Sequence, residues 1–353
     1  MDYAQELDDL IRSVVTENAS DLHLAEGRAP FIRVAGSLVP LAGKREHARA
    51  DMKAFLGLMI DDVRTDRLIE DREVDFAYEH KGPVRFRGNA YFQTGKLCVA
   101  LRLIPKQIRN FAELNLPPIL ETFAERKQGF FLCVGPTGHG KSTTLAALVE
   151  HVNTHRFEHI ITIEDPIEYL FESKKSVIDQ REVREDTTDF HMGLRGVFRQ
   201  DIDVLMIGEM REPETISTAV TAAETGHLVF STLHTNTASQ TVARIIDSFA
   251  AEQQSQIRIQ LAGSLLGVFS QRLIPRISGG LIPAYELLIN NAAVANLIRE
   301  NRTHEINTVI ETGMDQGMID MNRTLADLVK AGEISIENAY LYSFNSKALE
   351  RLM

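Results

Sequence analysis

Between residues 2 and 17, Leu7, Leu10, Ile11, Val14 and Val15 recur at helical spacing, and Asn18-Ala19-Ser20 then breaks the pattern. Asp21-Leu22-His23-Leu24 and Phe31-Ile32-Arg33-Val34 read as strands around the turn residues Gly27 and Pro30. Gly36-Ser37 predicts a hairpin into Leu38-Val39-Pro40. A helical stretch covers 50–69, and a strand-rich segment covers 75–104 with turns at Gly82-Pro83 and Gly95-Lys96. Residues 1–104 thus read as a small mixed α/β domain. Residues 105–118, with Pro105, Pro117 and Pro118 among charged side chains, read as a linker and domain boundary.

From residue 119 the pattern changes. Residues 129–134, 160–163, 204–207 and 228–231 are short apolar runs of the kind that parallel strands buried on both faces require. Helical patterns over 142–152, 193–199 and 214–224 separate them. Such alternation predicts a doubly wound parallel sheet across 119–353, followed from about 291 by an amphipathic helical tail.

Length and composition fit this picture. With 353 residues, 44% hydrophobic and 25% charged, the chain has an ordinary globular composition and room for two or three domains. No stretch approaches the ~18 apolar residues that a membrane helix needs, and the start, Met1-Asp2-Tyr3-Ala4-Gln5-Glu6, is acidic where a secretory signal would be basic. Two cysteines, Cys98 and Cys133, are too few for a disulfide framework or a four-cysteine zinc site, so a reducing cytoplasm is expected. A net charge of −11, no tryptophan and 7% aromatics argue against a nucleic-acid partner.

The chemistry concentrates in the second half. Gly135-Pro136-Thr137-Gly138-His139-Gly140-Lys141-Ser142 follows an apolar run and opens a helical pattern, the full context of a phosphate-binding loop. The glycines let successive backbone N–H groups turn toward phosphate oxygens, and the following helix offers its positive end to the same anion. Lys141 is suited to the β- and γ-phosphates, Ser142 to Mg²⁺, and Thr143 to the α-phosphate. Cys133 reads as a small core residue.

Two further strands end in acids. Residues 204–207 lead into Gly208-Glu209, and Ile161-Thr162-Ile163 leads into Glu164-Asp165-Pro166. In an open parallel sheet both would emerge at the carboxyl edge, beside the phosphate loop. The pattern does not say which acid serves which role; the assignment adopted is Glu164 as general base and Glu209 on the metal and its water. His227 and His234 flank the fourth apolar run, where a histidine is either structural or a sensor of the terminal phosphate. Arg85, Arg87 and Arg102 lie on the strands before the linker and, read alone, form a solvated basic face.

In order and spacing, Gly135 to Ser142, Ile163-Glu164-Asp165-Pro166-Ile167-Glu168, Ile207-Gly208-Glu209-Met210-Arg211 and the segment from Thr225 to Thr235 resemble the Walker A, Asp box, Walker B and His box of the secretion ATPases. These are the motors of type II secretion and type IV pili. Ala19-Ser20-Asp21-Leu22-His23-Leu24, Arg85-Phe86-Arg87 and Leu101-Arg102-Leu103-Ile104-Pro105 resemble that family's N-terminal signatures, so nearly the whole chain is covered. The short length, the shortage of cysteines and Ala293-Val294-Ala295-Asn296-Leu297-Ile298-Arg299-Glu300 resemble the type IV pilus retraction ATPases in particular. The chain departs from that pattern at Val294 and Ala295, at His139 where a small residue is usual, at Ile202 between Asp201 and Asp203, at Ala35, and at Thr94-Gly95.

The resemblance implies a PAS-like N-terminal domain, a RecA-like P-loop ATPase domain with a helical C-terminal extension, and a ring homohexamer hydrolysing ATP with Mg²⁺ to power pilus retraction. It implies that Arg87 and Arg102 reach a neighbouring subunit's nucleotide, and that His227 and His234 are nucleotide sensors. It places the chain in the cytoplasm, peripheral to the inner face of the membrane, working on a pilus platform protein. Pilus assembly, type II secretion, and a non-hydrolysing regulator in which His139 spoils turnover are the competing expectations.

Overall fold

The computed structural model describes residues 2–34, 36–81, 84–104 and 107–353; Ala35, the Gly82-Pro83 turn and Pro105 lie outside them. Two compact units are present: the first runs to Gln107 and includes Glu168–Leu170, and the second comprises Ile108–Ile167 and Phe171–Met353.

The first unit contains α1 (Tyr3–Thr16), β1 (Asp21–Ala25), β2 (Phe31–Val34), β3 (Ser37–Pro40), α2 (Arg49–Met59), α3 (Asp62–Asp71), β4 (Glu73–His80), β5 (Val84–Gln93) and β6 (Lys96–Ile104). Asp2 caps α1 by accepting the Gln5 amide. Leu7, Leu10, Ile11 and Val14 are buried, whereas Val15, expected on the same stripe, is 48% exposed. The expected helix over 50–69 is two helices. Asp61 accepts the Arg64 amide and so caps a fresh start after Ile60. The strands form one antiparallel sheet in the order β3-β2-β1-β6-β5-β4. Its inner face packs Leu22, Phe86 and Leu101 on Leu7, Met52 and Phe55 of the helices.

The second unit continues with α4 (Leu120–Ala124), β7 (Gly129–Val134), α5 (Lys141–His155), β8 (His159–Glu164), β9 (Val177–Glu182), α6 (Phe190–Val197), β10 (Val204–Ile207), α7 (Pro213–Glu224), β11 (Leu228–Leu233), α8 (Ala238–Asp247) and α9 (Ala251–Ser264). The hairpin β12 (Leu265–Pro275) and β13 (Leu281–Ile289) follows, then α10 (Ala292–Arg299), α11 (Ile306–Thr312), α12 (Met321–Lys330), α13 (Ile336–Tyr342) and α14 (Ser346–Glu350). Phe111 and Leu116, inside the segment read as a linker, are buried in this unit's core.

The seven-stranded sheet runs β13-β12-β7-β11-β10-β8-β9. All pairs are parallel except β12 with β13. Apolar side chains fill both faces, Phe130, Leu132, Ile161 and Val229 on one and Phe131, Cys133, Ile160 and Phe230 on the other. A strand covered on both sides is apolar at nearly every position, and that is why β7 and β10 read as unbroken runs and β11 opens on one; the buried Ser231 and Thr232 of β11 donate to the Ile207 and Gly208 carbonyls. The parallel register sets Val134 beside Leu233 and Ile207 beside both Ile163 and Ser231, so β7, β8, β10 and β11 finish at one edge.

Candidate active site

The loop after β7 turns over the carboxyl edge and enters α5 at Lys141. Gly135 has φ +146°, and a Cβ there would stand 2.3 Å from the Gln271 carbonyl oxygen, so only glycine lets the loop lie this close to β12. Lys141 is buried, and its Nζ donates to the carbonyls of Gly135 and Pro136, both at 2.9 Å. The ammonium is thereby held across the loop's mouth. Gln271 Nε2 donates to the His139 carbonyl at 2.9 Å and its Oε1 accepts from Thr144 Oγ1 at 2.6 Å, fastening loop and helix to β12.

His234 follows the last residue of β11 and faces this loop. Its Nδ1 accepts from Lys141 Nζ and from Thr137 Oγ1, each at 3.4 Å, and its Nε2 donates to Glu209 Oε2 at 3.3 Å. Glu209 lies just beyond β10, where its Oε1 also pairs with Arg211 at 2.7 Å. Lys141, His234 and Glu209 therefore form one polar chain along the sheet edge. Glu164, the last residue of β8, is buried and receives Thr162 Oγ1 at 2.6 Å and Gln180 Nε2 at 3.2 Å. Both donors hold the carboxylate in one orientation.

His227 is not brought to this site. It precedes β11, and its carbonyl accepts the amide of Gly129, the first residue of β7, so it stands at the amino edge. A strand rises about 3.3 Å per residue, which puts roughly 20 Å between His227 and His234. The His227 Nδ1–H donates to the Ala222 carbonyl at 2.9 Å and its ring meets Phe198 edge-on. The structure therefore separates His227 from the phosphate loop and from His234.

Arg87 and Arg102 lie on β5 and β6 in the first unit. Arg102 Nε donates to Asp21 at 2.9 Å, whereas the Arg87 side chain makes no hydrogen bond or ion pair among the described residues. Cys133 is fully buried and its thiol is pushed up to about 12 by burial, as befits a core residue. Three participants were given no role by the sequence reading: Gln271, Gln180 and, though it ends the quoted motif after β10, Arg211. Only Arg211 carried a signal, its place two residues after a strand-end acid.

The donor set suits a nucleotide with Mg²⁺. Backbone amides, a helix N-terminus and a lysine serve phosphate, and a hydroxyl (Ser142) with a carboxylate (Glu209) serves a hard cation. Among the described residues no group of three or more His, Cys, Asp or Glu side chains could hold a metal on its own. Mg²⁺ is commonly held by one or two side chains and the phosphates themselves.

A phosphate loop at the carboxyl edge of a parallel sheet, with strand-end acids beside it, defines a P-loop nucleoside triphosphatase. The chain belongs to the type II/IV secretion system protein family, whose profile matches residues 3–313. It is 42% identical over 339 residues to the type IV pilus retractation ATPase PilT of Pseudomonas aeruginosa, covering 95% of this chain and 97% of that one. It is 45% identical over 327 residues to the twitching motility protein of Neisseria gonorrhoeae, covering 91% and 86%. A crystal structure of the pilus retraction motor PilT with bound ADP superposes with a TM-score of 0.91 at 44% identity, covering 97% of this chain and 98% of the other. No helix among the described residues is long and apolar enough to cross a membrane.

Proposed function

We infer that this chain is an Mg²⁺-dependent ATPase that powers retraction of a type IV pilus. The observation that carries the reading is the polar chain from Lys141 through His234 to Glu209, beside Glu164. Its relatives named for pilus retraction and twitching motility, similar over nearly the whole chain, supply the job.

The residues are assigned as follows. Backbone amides from Gly135 to Thr143, with the start of α5, bind the phosphates, and Lys141 exchanges its two carbonyl partners for phosphate oxygens. Ser142 and Glu209 hold Mg²⁺, which when bound neutralises charge on the phosphate oxygens. Glu164, fixed by Thr162 and Gln180, orients the attacking water and accepts its proton. His234 reports on the nucleotide because its two nitrogens touch the phosphate lysine and the metal acid together.

Residues 1–104 are read as the PAS-like domain and 119–353 as the RecA-like domain of a ring homohexamer. Arg87 and Arg102 then serve the nucleotide of the adjacent subunit. Arg87, with no partner of its own, is the better suited. The work would be passed to an inner-membrane platform protein from the cytoplasmic side, with no nucleic acid involved. The regulator alternative is disfavoured by the relatives named as retraction ATPases, similar over nearly the whole chain.

The test is a deletion strain together with a Lys141→Ala strain. Surplus pili and lost twitching in both support the reading. Absent pili would assign the engine to assembly instead.

A further inference from the structure

His139 stands in the phosphate loop, and the structure gives its ring a specific task. β7 and β12 run side by side until Val134 pairs with Ser270. There β7 leaves the sheet to become the phosphate loop, while β12 continues against β13 as far as Pro275. On the side β7 has vacated, the Leu273 amide has no strand neighbour to receive it. His139 Nδ1 accepts that amide at 2.9 Å.

A backbone N–H only donates, so the bonded Nδ1 carries a lone pair and the ring is neutral with its proton on Nε2. The surroundings agree. Burial acts first against a charged ring, Arg272 on β12 and Lys141 on α5 add like charge, and Tyr342 of α13 meets the ring edge-on at 6.4 Å. The loop is thus fastened to β12 twice at one residue, through the His139 carbonyl by Gln271 and through the His139 ring by Leu273.

We infer that His139 is a positioning residue for nucleotide binding: its ring, by accepting the Leu273 amide, holds the phosphate loop against β12 in the shape that receives the phosphates. The ring substitutes for the ladder partner that the departing strand takes away. The inference rests on the ATPase reading above, and its effect falls on nucleotide affinity, since the hydrogen bonds His139 makes run to Leu273 and Gln271 of β12 and not to the acids Glu164 and Glu209 among the described residues.

The experiment compares His139→Ala, His139→Gln and His139→Asn in the purified full chain, measuring KM and kcat for ATP with Mg²⁺ and the dissociation constant of ADP. Asparagine places an amide oxygen near the position of Nδ1 and keeps the acceptor; glutamine keeps bulk but moves the acceptor away. Alanine and glutamine should each raise KM and the ADP constant roughly fivefold, the worth of one net hydrogen bond, with kcat within about twofold. Asparagine should restore both constants to near the parent values. Unchanged constants in the alanine or glutamine variant, or an asparagine variant as weak as they are, would overturn the inference. If alanine does not fold, the glutamine and asparagine pair decides alone. A parent chain that does not turn over ATP would instead overturn the functional reading, with ADP binding still measuring the tether.

Discussion

Arg87 on β5 and Arg102 on β6 stand directly opposite each other across the antiparallel ladder, so their side chains leave the same face of the sheet. Like charges so placed cost a few tenths to about 1 kcal/mol. Asp21, opposite Arg102 on β1, answers only one of them. An anion brought to this face answers the other, which suits arginines meant for a neighbour's phosphates. Arg87→Ala should therefore lower turnover at least about a hundredfold without lowering the thermal midpoint of the chain. Rings mixed from Arg87→Ala and Glu164→Gln subunits should regain turnover, because some neighbours then offer an intact arginine to an intact base. Mixtures as inactive as either variant alone would contradict action in trans.

Glu164 is the proposed base and Glu209 the metal acid, and two substitutions separate them. Glu164→Gln should keep ATP and Mg²⁺ binding and lose roughly 10²–10⁴ in kcat. Glu209→Gln should raise the Mg²⁺ concentration needed for half-maximal turnover. Equilibrium nucleotide binding and Mg²⁺ titration distinguish them, and a reversed pattern would exchange the roles.

Glu286 on β13 gives a pH dependence of stability. It is buried, and burial pushes its carboxyl up to about 7, with the Asp320 charge adding and the bond from the Ala238 amide opposing. Between the ordinary carboxylate range and about 7, the folded chain holds a proton that the unfolded chain has lost. Its contribution is therefore full at low pH and falls as pH rises through about 7, by about 3 kcal/mol in all. Glu286→Gln, which keeps an acceptor for Ala238, should flatten this fall in urea midpoints taken from about pH 5 to about pH 8. Equal slopes in parent and variant would count against the account.

Much of this was legible in the chain. β7 and β10 announce themselves because burial on both faces forces unbroken apolar runs, and β11 opens on one, Leu228-Val229-Phe230. The loop from Gly135 to Ser142, Glu164 and Glu209 follow from where such strands must end. The β12–β13 hairpin did not announce itself. Its β12 strand sets polar Ser270, Gln271 and Arg272 between the buried apolar Phe269 and Ile274, and it begins the residue after α9 ends, with no turn signal between. Missing β12 meant missing Gln271 and the reason for His139. The separation of His227 from His234 was legible too: in a parallel strand only the residue after the run, here His234, reaches the edge where the phosphate loop lies. The split of 50–69 was also visible, as Asp61-Asp62 after Ile60 is a helix-start signal.

The most direct test of the central claim is Mg²⁺-dependent phosphate release from ATP by the purified chain, with the mass of the assembly recorded on the same sample and Lys141→Ala beside it. The account predicts turnover by a hexamer, abolished by the substitution and by removal of Mg²⁺. Tight ATP binding with no phosphate release by an assembled hexamer, or turnover that survives Lys141→Ala, would contradict it.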